Sequence, residues 1–80
     1  MGVIEDVIAD IVREVGELDD GPLGHDVPFD EVDVDSLDLI EIAVAVERHF
    51  AVRFEDAELK GIRTIGELAD LARARGAVAA

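Results

Sequence analysis

The chain has 80 residues, half of them apolar, a formal charge of −13 and no cysteine. At that length it is one small domain that buries about 60% of its unfolded surface, too little for a large enclosed active site. The apolar content excludes an acidic disordered tail, the acidity argues against nucleic acid, and the missing thiols exclude a disulfide and fit a reducing compartment.

Residues 3–15 read as an amphipathic helix: Ile4, Val7, Ile8, Ile11, Val12 and Val15 recur at helical spacing. Glu5 and Asp6 suit its positive end, and Gly16 is expected to supply a left-handed stop. With these acids and no long apolar run, the N-terminus reads as neither signal peptide nor membrane span, so a cytoplasmic protein is expected. Residues 17–35 form a long connection with Gly21, Pro22, Gly24 and Pro28, which Phe29 and Val32 should pin to the core. A second helix runs from Ser36 to about His49, capped by Asp35 or Ser36, with Asp38 at capping-box distance from Asp35. Apolar side chains from Leu39 to Val46 cover most of its circumference, which predicts a central helix with neighbours on several sides. A short helix follows near Asp56–Leu59. The last begins at a Thr64/Glu67 capping pair, buries Ile65, Leu68, Ala69, Leu71 and Ala72, and stops at Gly76. Residues 1–80 are thus expected to form a single all-α domain, a small four-helix bundle of three longer helices and one short, with a long first loop. Residues 77–80 are expected to be a frayed tail.

Charge is unevenly spread. Residues 1–47 hold 15 acids and one base, whereas residues 48–80 hold 5 acids and 6 bases. Such a field steers basic protein surfaces towards the acidic half, favours a monomer, or simply keeps a small apolar domain soluble. Ser36 is the only serine, in Asp35-Ser36-Leu37-Asp38, and Thr64 is the only threonine; tyrosine is absent. A lone hydroxyl at a helix entrance, where free N–H groups and the helix dipole favour an anion, suits modification by another enzyme better than attack on a substrate. Asp35, Asp38, Glu41 and Glu47, with Leu37, Ile40 and Val44 among them, form a mixed acidic and apolar docking face. The ordinary alternative is a plain helix cap.

The order of Asp35-Ser36-Leu37-Asp38-Leu39-Ile40-Glu41, Val46-Glu47-Arg48-His49-Phe50, Val52-Arg53-Phe54-Glu55-Asp56 and Arg63-Thr64-Ile65-Gly66-Glu67-Leu68 resembles the acyl carrier proteins. The resemblance spans nearly the whole chain. It implies that Ser36 accepts 4′-phosphopantetheine from coenzyme A through a Mg²⁺-dependent phosphopantetheinyl transferase. It implies a non-catalytic carrier whose arm holds acyl intermediates as thioesters. It also implies docking to acyltransferases, ketosynthases and other basic-surfaced enzymes of fatty-acid or polyketide-type biosynthesis through Asp35, Asp38, Glu41, Glu47 and Asp56. Phe50 and Phe54 match core positions, and the interior between helices shelters the acyl chain in some relatives. Val34 stands where many relatives have Gly, and Arg48 where many have an acid. Asp rather than His before Ser leans away from peptidyl carriers, although an aminoacyl or D-alanyl carrier stays open. Met1 and the length suggest a stand-alone carrier, and heavy use of Ala, Val and Arg with a single Lys suggests a bacterial one.

Rival readings weigh less. No EF-hand register fits Asp30, Asp33, Asp35 and Asp38, because the sixth position from Asp33 is Asp38 and the twelfth is Val44. Two histidines without cysteine disfavour a metal site. A Ser36 hydrolase would need His25 or His49 beside the hydroxyl, and His49 lies about 20 Å along the same helix. The principal rival outside the carrier class is an unmodified acidic helical adaptor in which Ser36 serves only as a cap. Charge reversal at Asp38 or Glu41 is expected to slow modification and leave helicity intact.

Overall fold

A computed structural model describes residues 3–18 and 23–78, all helical or irregular, with no strand among them. Helix α1 spans Val3–Gly16, α2 Ser36–Phe50, α3 Asp56–Leu59 and α4 Ile65–Ala74. A short 3-10 turn, Phe29–Val32, interrupts the first connection. It lies where no periodicity announces a helix. Helix α1 packs against both α2 and α4, and α3 closes on α2.

The core follows from the helical spacing. Ile8, Val12, Ile42, Val46, Ile65 and Leu68 are all completely or almost completely buried. The three phenylalanines stay at its margin: Phe29 is buried and Phe50 and Phe54 are half-buried against it. Helix α1 does not stop on a left-handed glycine. Gly16 ends the helix, and Glu17 takes the left-handed conformation (φ 53°) while Leu18 N–H reaches back to the Arg13 carbonyl at 2.9 Å. The Leu18 side chain, packed on the core, fixes the chain there and overrides the local preference for glycine.

Helix α2 departs from the expected all-round burial. Ile42, Ala43 and Val46 are buried, but Leu37, Ile40 and Val44 are exposed. With α1 on one side and α3 covering part of another, its remaining apolar surface faces solvent. At the end of α4, Gly76 has φ 103°, and Ala77 N–H bonds the Ala72 carbonyl at 2.9 Å. Ala77 is therefore buried rather than part of a frayed tail, because this reversal turns its methyl into the core. Ala79 and Ala80, like Gly21 and Pro22, lie outside the described residues.

Gly66 joins the long first loop to α4. Its N–H donates to the His25 carbonyl at 2.8 Å, and a Cβ there would sit 3.2 Å from that oxygen, so a larger residue would push the loop outward by a few tenths of an ångström. Nearby, Arg73 grips Glu5 with both guanidinium nitrogens, at 2.6 and 2.8 Å, tying α4 to the first turn of α1. The Arg73 hydrogen bonds hold the Glu5 carboxyl at about 2, below its usual 4.5. A depressed carboxyl stabilises the fold above its ordinary pKa and loses that contribution as pH falls through its folded one. Solvent around Arg73 keeps that contribution small. Glu5→Gln should therefore unfold slightly more easily at pH 7. In urea titrations the gap to wild type should narrow below pH 4.5 and close near pH 2; a gap independent of pH contradicts this.

Candidate functional site

The approach to Ser36 is built residue by residue. Pro28 fixes an extended entry (φ −61°), and the 3-10 turn follows at once. Asp33 ends that turn in the left-handed conformation (φ 60°), which aspartate tolerates better than most residues. Asp33 and Val34 both direct their N–H groups to the Phe29 carbonyl, the latter at 3.0 Å. Val34 is buried and packs into the core. It anchors the chain two residues before the hydroxyl.

The capping box then forms. Asp35 Oδ1 accepts the Asp38 N–H at 2.9 Å, and Asp38 Oδ2 accepts the Asp35 N–H at 3.3 Å. Asp35 is thus the cap and Ser36 the first helical residue. The Ser36 side chain is exposed, and none of the hydrogen bonds among the described residues uses its hydroxyl. It opens onto a cleft of about 520 Å³ whose apolar wall includes Phe29, Val34, Leu39 and Ile62. Asp30, Glu31 and Arg63 complete the rim.

No histidine reaches this cleft. The His25 ring faces Asp6 Oδ1 at 3.8 Å, and its backbone is tied to Gly66. His49 stacks edge-on against Phe50 at the far end of α2. Neither histidine therefore stands beside Ser36 to form a nucleophilic triad with it. Asp35 and Asp38 are spent on the cap, and among the described residues no three acidic or histidine side chains gather as metal ligands.

The expected docking residues divide. Asp35, Leu37, Ile40, Glu41, Val44 and Asp56 are exposed. Asp38 is half-buried in the capping box, so its charge is only partly free, and a lysine there would also damage the cap. Glu47 is shared between two tasks. Its Oε2 accepts the Phe54 N–H at 2.7 Å and the residue is half-buried, so it braces the connection to α3 while also lining the α2–α3 groove. The lower half of the exposed α2 face carries Arg48 and His49 instead. Between α2 and α3 runs a groove of about 620 Å³, lined by Ile40, Ala43, Val44, Val52, Phe54 and Leu59 among others.

Two residues with a part here escape sequence reasoning. Arg63 reaches the Ser36 cleft although 27 positions separate them in the chain. Its backbone is held there by Phe29 N–H, which donates to the Arg63 carbonyl at 2.8 Å. Glu67, read as half of a capping box with Thr64, behaves differently: Thr64 Oγ1 accepts its N–H at 3.1 Å, but its carboxylate accepts the Arg63 N–H at 2.7 Å. The capping spacing is the only signal the sequence gives for that contact.

Comparison with known proteins agrees with this geometry. The family described as phosphopantetheine attachment site matches residues 6–72. An acyl carrier protein of Acidothermus cellulolyticus is 38% identical over 64 residues, 79% of this chain and 76% of that protein. A meromycolate extension acyl carrier protein of Mycobacterium leprae is 37% identical over 62 residues, 76% of this chain, which spans only 54% of that protein's length. The solution structure of a holo acyl carrier protein from Geobacter metallireducens superposes with a TM-score of 0.76 at 29% identity, covering 90% of this chain and 84% of that one. With an exposed serine opening a helix of this fold, and with a family match over most of its length, the chain belongs to the acyl carrier proteins, the family that bears 4′-phosphopantetheine.

Proposed function

We propose that Ser36 is the attachment point of the 4′-phosphopantetheine arm and that the protein carries acyl groups between enzymes without transforming them. The observation that carries this reading is the division of labour at the start of α2. Asp35 supplies the cap, which leaves the Ser36 hydroxyl exposed and without a structural task. In the transfer, Ser36 Oγ forms a bond to the pantetheine phosphorus of coenzyme A, 3′,5′-ADP departs, and the hydroxyl proton passes to the transferase. The arm supplies the thiol that this chain lacks, and acyl groups ride on it as thioesters. The protein's own share is to hold the hydroxyl at the mouth of α2, where backbone N–H groups and the helix dipole favour the phosphate. Incubation with coenzyme A and a broad-specificity phosphopantetheinyl transferase, followed by intact mass, tests the reading. One phosphopantetheine adduct mapped to Ser36 supports it. An unchanged mass with several competent transferases removes it.

The reading extends to the partners. Leu37, Ile40 and Val44 form an exposed apolar strip flanked by Asp35 and Glu41, and Asp56 stands across the α2–α3 groove. This face suits transferases and biosynthetic enzymes, fatty-acid or polyketide-type, that offer Arg or Lys around an apolar spot. Glu41, exposed and absent from the cap, is the cleaner residue for charge reversal. Glu41→Lys should slow loading several-fold at low salt, in the range expected when electrostatic steering is lost, and the deficit should shrink at high salt. Its helicity should stay unchanged. Equal loading rates for wild type and Glu41→Lys at low salt contradict the electrostatic part.

A further inference from the structure

The cleft beside Ser36 is acidic on most of its rim, with Asp30, Glu31 and Asp35, and the one basic side chain lining it is Arg63. Arg73 and Arg75 are paired with Glu5 and Glu58, and Arg13 with Asp10. The Arg63 guanidinium forms no ion pair and no hydrogen bond among the described residues. Its backbone, by contrast, is clamped on both sides: the N–H donates to Glu67 Oε1 at 2.7 Å and the carbonyl accepts from Phe29 at 2.8 Å. A rigid backbone therefore carries a free, exposed cation at the edge of the cleft onto which the serine opens.

We propose that Arg63 is a binding residue for the phosphodiester on Ser36, drawing the first part of the arm into the cleft between the 3-10 turn and Ile62. The inference rests on the Ser36 reading above. A phosphodiester bears one negative charge on two free oxygens, which match the two-pronged donor geometry of a guanidinium. The neighbouring carboxylates repel that charge, so among the charged side chains lining the cleft the attraction comes from Arg63 alone, added to that of the α2 N-terminus. Phe29, Val34, Leu39 and Ile62 then offer an apolar wall to the carbons that follow the phosphate. The resting arm is held by one ion pair and one patch of apolar contact, weak enough for a docked enzyme to withdraw it.

The test compares wild type, Arg63→Ala and Arg63→Lys, each loaded with coenzyme A and a broad-specificity transferase and checked by intact mass. In the loaded wild type the Arg63 Nε–H resonance should shift from its apo position. The phosphorus-31 relaxation should approach that of the folded protein. In Arg63→Ala the phosphorus signal should sharpen towards that of a freely rotating phosphodiester, and Arg63→Lys should fall between the two. High salt should reproduce the alanine result in the wild type. Loading that leaves the Arg63 resonance unmoved, or gives equal phosphorus relaxation in wild type and Arg63→Ala at low salt, overturns the proposal while sparing the Ser36 reading. Failure of the wild type to load at all overturns both.

Discussion

Ser36→Ala should gain no phosphopantetheine mass under conditions that load the wild type completely, and should melt at nearly the same temperature. The loss is total because no second acceptor exists. Ser36 is the sole serine, tyrosine is absent, and the Thr64 hydroxyl is engaged as the cap of α4. Stability is spared because the Ser36 hydroxyl is exposed and accepts no hydrogen bond from the cap, so the change should stay within about 0.5 kcal/mol. Asp35→Ala gives the complementary result. It removes the acceptor for the Asp38 N–H and should cost about 1 kcal/mol, with the modifiable hydroxyl still in the chain. The pair of variants separates attachment from capping. An adduct on Ser36→Ala, or a large stability loss in that variant with none in Asp35→Ala, would assign the two neighbours the wrong roles.

Leu68→Ala should be the most damaging single truncation for the fold. The side chain is fully buried with Ile8, Val12, Ile42, Val46 and Ile65 in an aliphatic core. Deleting its branched end sacrifices transfer free energy and leaves a cavity, together about 2–5 kcal/mol. A domain of this size has a total stability of only about 4–12 kcal/mol, so much of the folded population is at stake. Leu37→Ala removes the same atoms from a side chain that is 71% exposed, and should stay within about 0.5 kcal/mol. Urea unfolding of both variants gives the comparison. A loss below about 1 kcal/mol for Leu68→Ala would show that the core yields around the gap and is looser than its burial implies.

The three long helices were legible because each combines an apolar stripe at helical spacing with a polar boundary signal. Asp35/Asp38 and Thr64 cap as their spacing suggests. The short third helix also lies where it was expected. What periodicity could not give was the ends and the loop. Glu17 and Ala51, neither glycine, take left-handed conformations (φ 53° and 56°) because the packing of the residues that follow, Leu18 and Val52, dictates the turn. Hydropathy alone made α2 look central, since it cannot distinguish a side chain covered by its own domain from one kept bare for another molecule. Ser36 stood out as the only residue of its kind. Arg63 did not, because its place on the cleft depends on a contact between distant segments.

Helix α3 contains no fully buried residue. Leu59 packs on the core from its last turn, Glu58 caps Glu55 and pairs with Arg75, and the Glu47–Phe54 bond pins the entry. Those surface links together amount to about 2–3 kcal/mol, far below the cost of dismantling the interior packed around Leu68. This small helix should therefore open locally before the rest of the domain does, with faster amide exchange than α1, α2 or α4.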